Sequence, residues 1–166
     1  NNSILPMITG GGQENKMRAG TENVPGICGL GLAAKLASKR IEENTLKLNE
    51  LKEKFLASLD KKNIEYILNG TNCVPGVINI TFPGVSGQNL MINLDIEGIA
   101  VSYGAACSSG VAKPPSVLLE IGIDNEMAKS SIRISFGRSN TIEDINYFVN
   151  TLDTVISRIY KGSING

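Results

Sequence analysis

The sequence predicts an α/β fold, more narrowly an α+β two-layer unit with helices over mostly one face of a small sheet. Three observations predict it. Apolar residues recur at helical spacing across residues 24–59, at Val24, Ile27, Leu30, Ala34, Ala37, Ile41, Leu48, Leu51, Phe55 and Leu59. Two short runs alternate with period two, Ile78/Ile80/Phe82 and Ile132/Ile134/Phe136. A closing stretch carries the stripe Ile145, Phe148, Val149, Leu152, Val155, Ile156 and Ile159. Strands too few for a sandwich therefore alternate with helices in one ordinary-sized chain of 166 residues.

Taken in order, residues 4–8 are short and apolar, and Pro6 makes them an edge strand or an extended approach. The three glycines at 10–12 and the Gly20-Thr21 step form a shaped loop. Two uses are open for it: a solvated connector, or an anion-binding turn in which Gly20 and Thr21 offer N–H groups and a hydroxyl to a phosphate. Asn23 is placed to cap the long helix, with Pro25 in its first turn. Its charged residues fall largely off the apolar stripe and make a solvated face, and Cys28, among Gly26, Gly29 and Gly31, reads as a packing residue.

Residues 64–68 read as a strand, 69–76 as a loop holding Cys73, and 77–82 as the first alternating strand. Pro83-Gly84 turns the chain, Ser86 caps a helix through Leu90 and Leu94, and Gly98 ends it. Residues 99–102 read as a strand, 117–121 as a short helix stopped by Gly122, and 131–136 as the second alternating strand. Alternation there puts Arg133 and Ser135 on the face opposite the isoleucines. Thr141 and Asp144 make a capping-box variant for the last helix, and residues 161–166 read as a frayed tail.

Sixteen acidic and sixteen basic residues balance, which argues against nucleic acid or an anionic membrane as partner. No apolar run reaches the roughly 18–20 residues a spanning helix needs, and no signal-peptide pattern opens the chain. The three cysteines, Cys28, Cys73 and Cys107, are odd in number and widely spaced, so no disulfide framework is predicted and a reducing cytoplasm is. The chain has no histidine. That excludes, within these residues, a Cys–His hydrolase, a His-ligated zinc site and a His general base.

Cys107 then stands out. It lies in Val101-Ser-Tyr-Gly-Ala-Ala-Cys107-Ser-Ser-Gly110, where small residues predict a backbone able to bend and a sulfur unshielded by bulky neighbours. Two uses are open: a small buried hydrophobe, or a thiolate that reaches a partner. If it is a nucleophile, its activation comes from backbone dipoles, a cofactor or another polypeptide.

Four stretches together resemble one family. They are Gly10-Gly-Gly-Gln-Glu-Asn-Lys-Met-Arg18-Ala-Gly-Thr-Glu-Asn-Val24, Leu94-Asp-Ile-Glu-Gly-Ile-Ala-Val-Ser102, Gly104-Ala-Ala-Cys-Ser-Ser-Gly110, and Ser131-Ile-Arg-Ile-Ser-Phe-Gly-Arg138 with Asn140-Thr141. In this order, and covering nearly the whole chain, they are similar to cysteine desulfurases of the NifS/IscS type, class-V aminotransferases of PLP fold type I. The resemblance implies an enzyme that uses pyridoxal 5′-phosphate (PLP) to take sulfur from L-cysteine and release L-alanine. It implies that Cys107 is the nucleophile that holds the sulfur as a persulfide. It implies that Arg133 grips the substrate carboxylate, against the alternative of a surface ion pair. It implies that Thr21 contacts the PLP phosphate of the neighbouring subunit of a homodimer, with Arg138 and Asn140 in supporting roles.

The same resemblance implies a fragment. In the full-length family a large N-terminal domain supplies the Schiff-base lysine, a stacking histidine and an aspartate, and none of those motifs is in this chain. Residues 1–23 then correspond to the end of the large PLP-binding domain and its Gly-rich loop, and 24–166 to the C-terminal small domain with its long first helix. The expected partners are L-cysteine and a sulfur acceptor or iron–sulfur scaffold protein, with no nucleic acid and no membrane, and this chain alone is expected to be inactive. The alternatives are a non-catalytic sulfur-carrier or scaffold-docking module, and a related PLP lyase such as a selenocysteine lyase. Tyr103 and Ala105 stand where the family often has Ser, and Pro115-Ser116 where it often has Ser-His.

Overall fold

The computed structural model describes residues 4–104 and 114–164. Cys107, on which the expected nucleophile falls, lies outside the described residues. The chain divides into two compact units, Asn1–Glu42 and Glu43–Gly166.

The first unit holds the Gly-rich loop, with a short 3-10 turn at Gln13–Lys16, and helix α1 at Val24–Lys39. Asn23 caps α1 as its sequence predicts, its Oδ1 accepting from the Gly26 N–H at 3.1 Å, and Pro25 sits in the first turn. Two expectations fail here. The helical period across 24–59 does not give one helix. Arg40 turns out of α1, its N–H closing back on the Ala37 carbonyl at 3.0 Å in 3-10 fashion, and α2 restarts at Ile41–Lys61. Nor is α1 a packed helix: Ile27, Leu30, Leu32 and Leu36 are exposed, and Cys28 is exposed rather than a packing residue.

The second unit has the predicted two-layer build. Strands β1 (Ile67–Asn69), β2 (Val77–Thr81) and β3 (Ser131–Ser135) form an antiparallel sheet in that order. Helices α3 (Gly87–Ile96), α4 (Ser116–Glu120), α5 (Asn125–Lys129) and α6 (Ile142–Ile164) complete it. Alternation along the strands sends Ile78, Ile80, Ile132 and Ile134 into one core. Leu51, Phe55 and Leu59 of α2, Leu90 and Leu94 of α3, and the α6 stripe from Ile145 to Ile156 meet them there. Among the described residues, no helix is long and apolar enough to cross a membrane.

The ends of these helices follow from their sequences. Ser86 and Thr141 cap α3 and α6 as expected. Ser86 Oγ accepts from the Asn89 N–H, while Thr141 Oγ1 and the Asp144 carboxylate exchange bonds with each other's backbone N–H. After α3, Gly98 takes φ +79°, and the Gly98 and Ile99 N–H groups reach back to the carbonyls of Asp95 and Leu94. This closure consumes the start of the strand expected at 99–102. Only Ser102 remains to pair, as an isolated bridge to Arg133 on the free edge of β3. The strand expected at 64–68 shrinks for the same reason: Asn63, at φ +55°, closes α2 by sending the Ile64 N–H to the Leu59 carbonyl, and pairing starts at Ile67. Helix α5 went unpredicted; Asp124 caps it by accepting from the N–H groups of Glu126 and Met127.

Gly87 marks the closest approach in this unit. A Cβ there would lie 2.6 Å from the Ser131 carbonyl oxygen, 2.9 Å from that of Lys129 and 2.9 Å from the Tyr103 ring. Two of these atoms are backbone and cannot swing aside. Gly87→Ala is therefore expected to destabilise the chain by about 1–3 kcal/mol, read as a lower urea midpoint. An unchanged midpoint would show that α3 shifts at no cost.

Candidate functional site

The second face of the sheet is mostly polar. The residues of β1, β2 and β3 that alternate with the core isoleucines are Asn69, Asn79, Thr81, Ser131, Arg133 and Ser135, with Ile67 and Val77 as its apolar members. Arg133 therefore lies opposite the isoleucines, as its place in Ser-Ile-Arg-Ile-Ser predicts, and it is exposed. Both its backbone groups bond Ser102, at 2.7 and 3.0 Å, and its Nη2 donates to Ser102 Oγ at 3.3 Å. No carboxylate among the described residues pairs with it. The surface ion pair that its sequence left open is thus absent there, and a planar donor fork stands available to an anion.

Beside Arg133 the polar face is tied together. Asn69 Nδ2 lies 2.7 Å from Asn79 Oδ1, 2.8 Å from Thr81 Oγ1 and 3.1 Å from Ser131 Oγ. Thr81 and Ser131 share a hydrogen bond of 2.7 Å, and Ser131 Oγ donates to the Met127 carbonyl at 2.7 Å. Thr81 and Ser131 are buried to 1% exposure, so this cluster is a built structure and not a wetted surface. Sequence reasoning passed over Asn69 and Asn79. The signal that could have found Asn79 was its place between Ile78 and Ile80, which mirrors that of Arg133 between Ile132 and Ile134.

The Gly-rich loop of the first unit is braced from within. Arg18 Nη1 donates to the carbonyls of Gly20 and Thr21, at 3.0 and 2.8 Å, and Glu14 stands 3.7 Å from its Nη2. The Gly20 N–H, offered by the sequence to an anion, goes instead to Gln13 Oε1 at 3.3 Å. Thr21 is exposed, and neither its N–H nor its hydroxyl bonds a described residue. Of the two donors expected at this turn, the Thr21 pair is the one left to a phosphate, and a loop whose carbonyls are already held can present them without reordering.

Arg138 and Asn140 serve the fold. The Arg138 carbonyl accepts from Lys47 Nζ at 2.6 Å, and Asn140 Oδ1 accepts from the Gly137 N–H at 2.7 Å while its amide reaches Asp144. Cys73 is exposed, and among the described residues no three His, Cys, Asp or Glu gather as a metal site.

Comparison with known proteins adds the following. A family model described as Aminotransferase class-V matches residues 5–148. The cysteine desulfurase IscS of Dictyoglomus turgidum is 41% identical over 158 residues, which are 94% of this chain and 40% of that protein. The putative cysteine desulfurase IscS 1 of Bacillus subtilis is 42% identical over 159 residues, 94% of this chain and 42% of its own length. The X-ray structure of a NifS-like protein from Rickettsia africae superposes with a TM-score of 0.75 at 37% identity, covering 94% of this chain and 41% of that one. A second solved NifS-like protein gives 0.76 at 31% identity, over 93% of this chain and 39% of its own. The chain thus spans about two fifths of the length of the relatives it matches.

Proposed function

The chain belongs to the class-V aminotransferase family, and from that premise we propose that it is the C-terminal part of a PLP-dependent cysteine desulfurase. The observation that carries this is identity of about 40% with cysteine desulfurases over 94% of the chain. In this reading residues 1–23 end the large PLP-binding domain, and 24–166 make the small domain. The remainder of the cofactor site, with its Schiff-base lysine, comes from the N-terminal domain, and the full-length protein is a cytoplasmic homodimer. It passes sulfur to an acceptor for iron–sulfur cluster or thiocofactor assembly.

Arg133 and Thr21 have tasks that their surroundings support. The Arg133 guanidinium, unpaired among the described residues, takes the substrate carboxylate through two parallel N–H bonds. The Thr21 hydroxyl and N–H fit a phosphate oxygen, so this chain can contribute to holding PLP across the dimer. When bound, PLP supplies the electron sink that lets the substrate carbon–sulfur bond break. Cys107, as thiolate, takes the substrate sulfur. The substrate C–S bond breaks, the Cys107 S–S bond forms, and the carbon takes a proton to become alanine. The carbon gains the electron pair that the sulfurs give up, so no outside oxidant or reductant is needed.

Two preparations test the reading. The full-length protein with PLP is expected, in a single turnover, to form alanine and persulfide from L-cysteine in equal amounts. The 166-residue chain alone is expected to form neither. Alanine from the chain alone would refute the need for the other domain, and its absence from the full-length protein would refute the desulfurase itself.

A further inference from the structure

We propose that Asn79 is a second substrate-binding residue, whose side-chain amide nitrogen donates to the carboxylate that Arg133 grips; this rests on the reading of Arg133 given above. The first support is register. Asn79 and Arg133 are direct cross-strand partners in β2 and β3. The N–H and C=O of Arg133 both bond Ser102, on the far side from β2. Asn79 and Arg133 therefore form a non-hydrogen-bonded pair, the type with Cα atoms about 4.5 Å apart and side chains closest on their shared face. Nη2 of Arg133 leans to Ser102 Oγ, so the proposed anion bridges the guanidinium N–H groups left free by Ser102 and the Asn79 amide on the shared face.

The second support is direction. Ser131 Oγ spends its one proton on the Met127 carbonyl, a group that can only accept. The bond between Thr81 and Ser131 must then have Thr81 as donor. Thr81 Oγ1, its proton spent, accepts from Asn69, so the Asn69 amide must turn its nitrogen inward. The same nitrogen faces the Asn79 side chain, which answers with its oxygen. The Met127 carbonyl, four hydrogen bonds away through Ser131, Thr81 and Asn69, thus fixes which end of the Asn79 amide is which. Its oxygen is engaged, and its nitrogen keeps two N–H donors with no partner among the described residues. Asn79 itself is half-buried, while Asn69, Thr81 and Ser131 behind it are buried, so the amide is held before any substrate arrives.

The test uses the full-length enzyme and two competitive inhibitors that divide the substrate between them. 3-Mercaptopropionate has the thiol and carboxylate but no amine; cysteamine has the thiol and amine but no carboxylate. Asn79→Ala is expected to raise the inhibition constant of 3-mercaptopropionate about tenfold, the loss of one hydrogen bond to a charged group, and to leave that of cysteamine within about twofold. Asn79→Asp keeps the oxygen that Asn69 bonds and removes the donor. It should weaken 3-mercaptopropionate at least as much without weakening cysteamine, and it decides the matter if the alanine variant fails to fold. Equal changes for both inhibitors, or none for 3-mercaptopropionate, would overturn the assignment. Arg133→Ala, measured alongside, separates the two claims. If it weakens 3-mercaptopropionate and the Asn79 variants do not, the Asn79 assignment falls alone. If it does not, the carboxylate reading of Arg133 falls and takes Asn79 with it.

Discussion

Replacing Cys107 by serine in the full-length protein is expected to lower persulfide formation by at least about a thousandfold while PLP stays bound. Sulfur transfer needs a nucleophile that is ionised near neutral pH and can carry a second sulfur. A thiol meets the first need, since it ionises far more readily than a hydroxyl, and the second by forming S–S. A serine hydroxyl meets neither. The chain offers no histidine to activate a hydroxyl, so a Ser–His pair within this chain cannot rescue the variant. Nor can another of its cysteines substitute without leaving a trace. Cys28 and Cys73 are exposed thiols, and a persulfide on either would appear on a different peptide after digestion. The measurement is therefore peptide-resolved mass spectrometry after incubation with L-cysteine, with bound PLP followed by its absorbance. Gain of a sulfur on the Cys107 peptide in wild type and its loss in Cys107→Ser is the expected pair. Undiminished transfer in the variant would remove Cys107 from the reaction.

The reach of the sequence differed between the two units for a physical reason. In the second unit, period and burial coincide. Ile78, Ile80, Ile132 and Ile134 alternate because one face of the sheet is covered, and the α6 stripe follows the same core, so pattern alone found both. Capping chemistry is local, which is why Asn23, Ser86 and Thr141 were legible. The first unit broke the rule that an apolar period means burial. Ile27, Leu30 and Leu36 repeat like core residues and yet are exposed, because periodicity records that a face is apolar and not what covers it. Helix closure was hard to see for a different reason. The bonds from Ile64 to Leu59 and from Ile99 to Leu94 shorten two predicted strands, and each depends on one residue at positive φ whose effect spreads to its neighbours. At the polar face, Arg133 was legible as a charge between two isoleucines. Asn79 was not, since an uncharged amide gains its meaning from Asn69 and, through it, Ser131, which lie on other strands and meet it only in the folded sheet.

That polar face is only as well placed as the core beneath it, and Phe55→Ala measures how much of the unit depends on one side chain. Phe55 is fully buried on α2, and its ring lies 5.1 Å from that of Phe148 on α6 and 5.7 Å from that of Phe136, just past β3. It thus joins three parts of the chain that are distant in sequence, where no local contact can replace it. Removing the ring takes away its transfer energy and leaves a hole among rings that are themselves held by it, for an expected cost of about 3–5 kcal/mol. Domains of this size hold only about 5–15 kcal/mol in total, so the variant should sit near the edge of folding. Phe55→Leu fills most of the volume, loses the tilted ring contacts and should cost about 1–1.5 kcal/mol. Urea unfolding of both variants reads the difference directly. The ordering matters more than either number, because a core that tolerated alanine as well as leucine at this position would not be holding α2, α6 and β3 in register, and Arg133 and Asn79 would then need some other support to face one anion together.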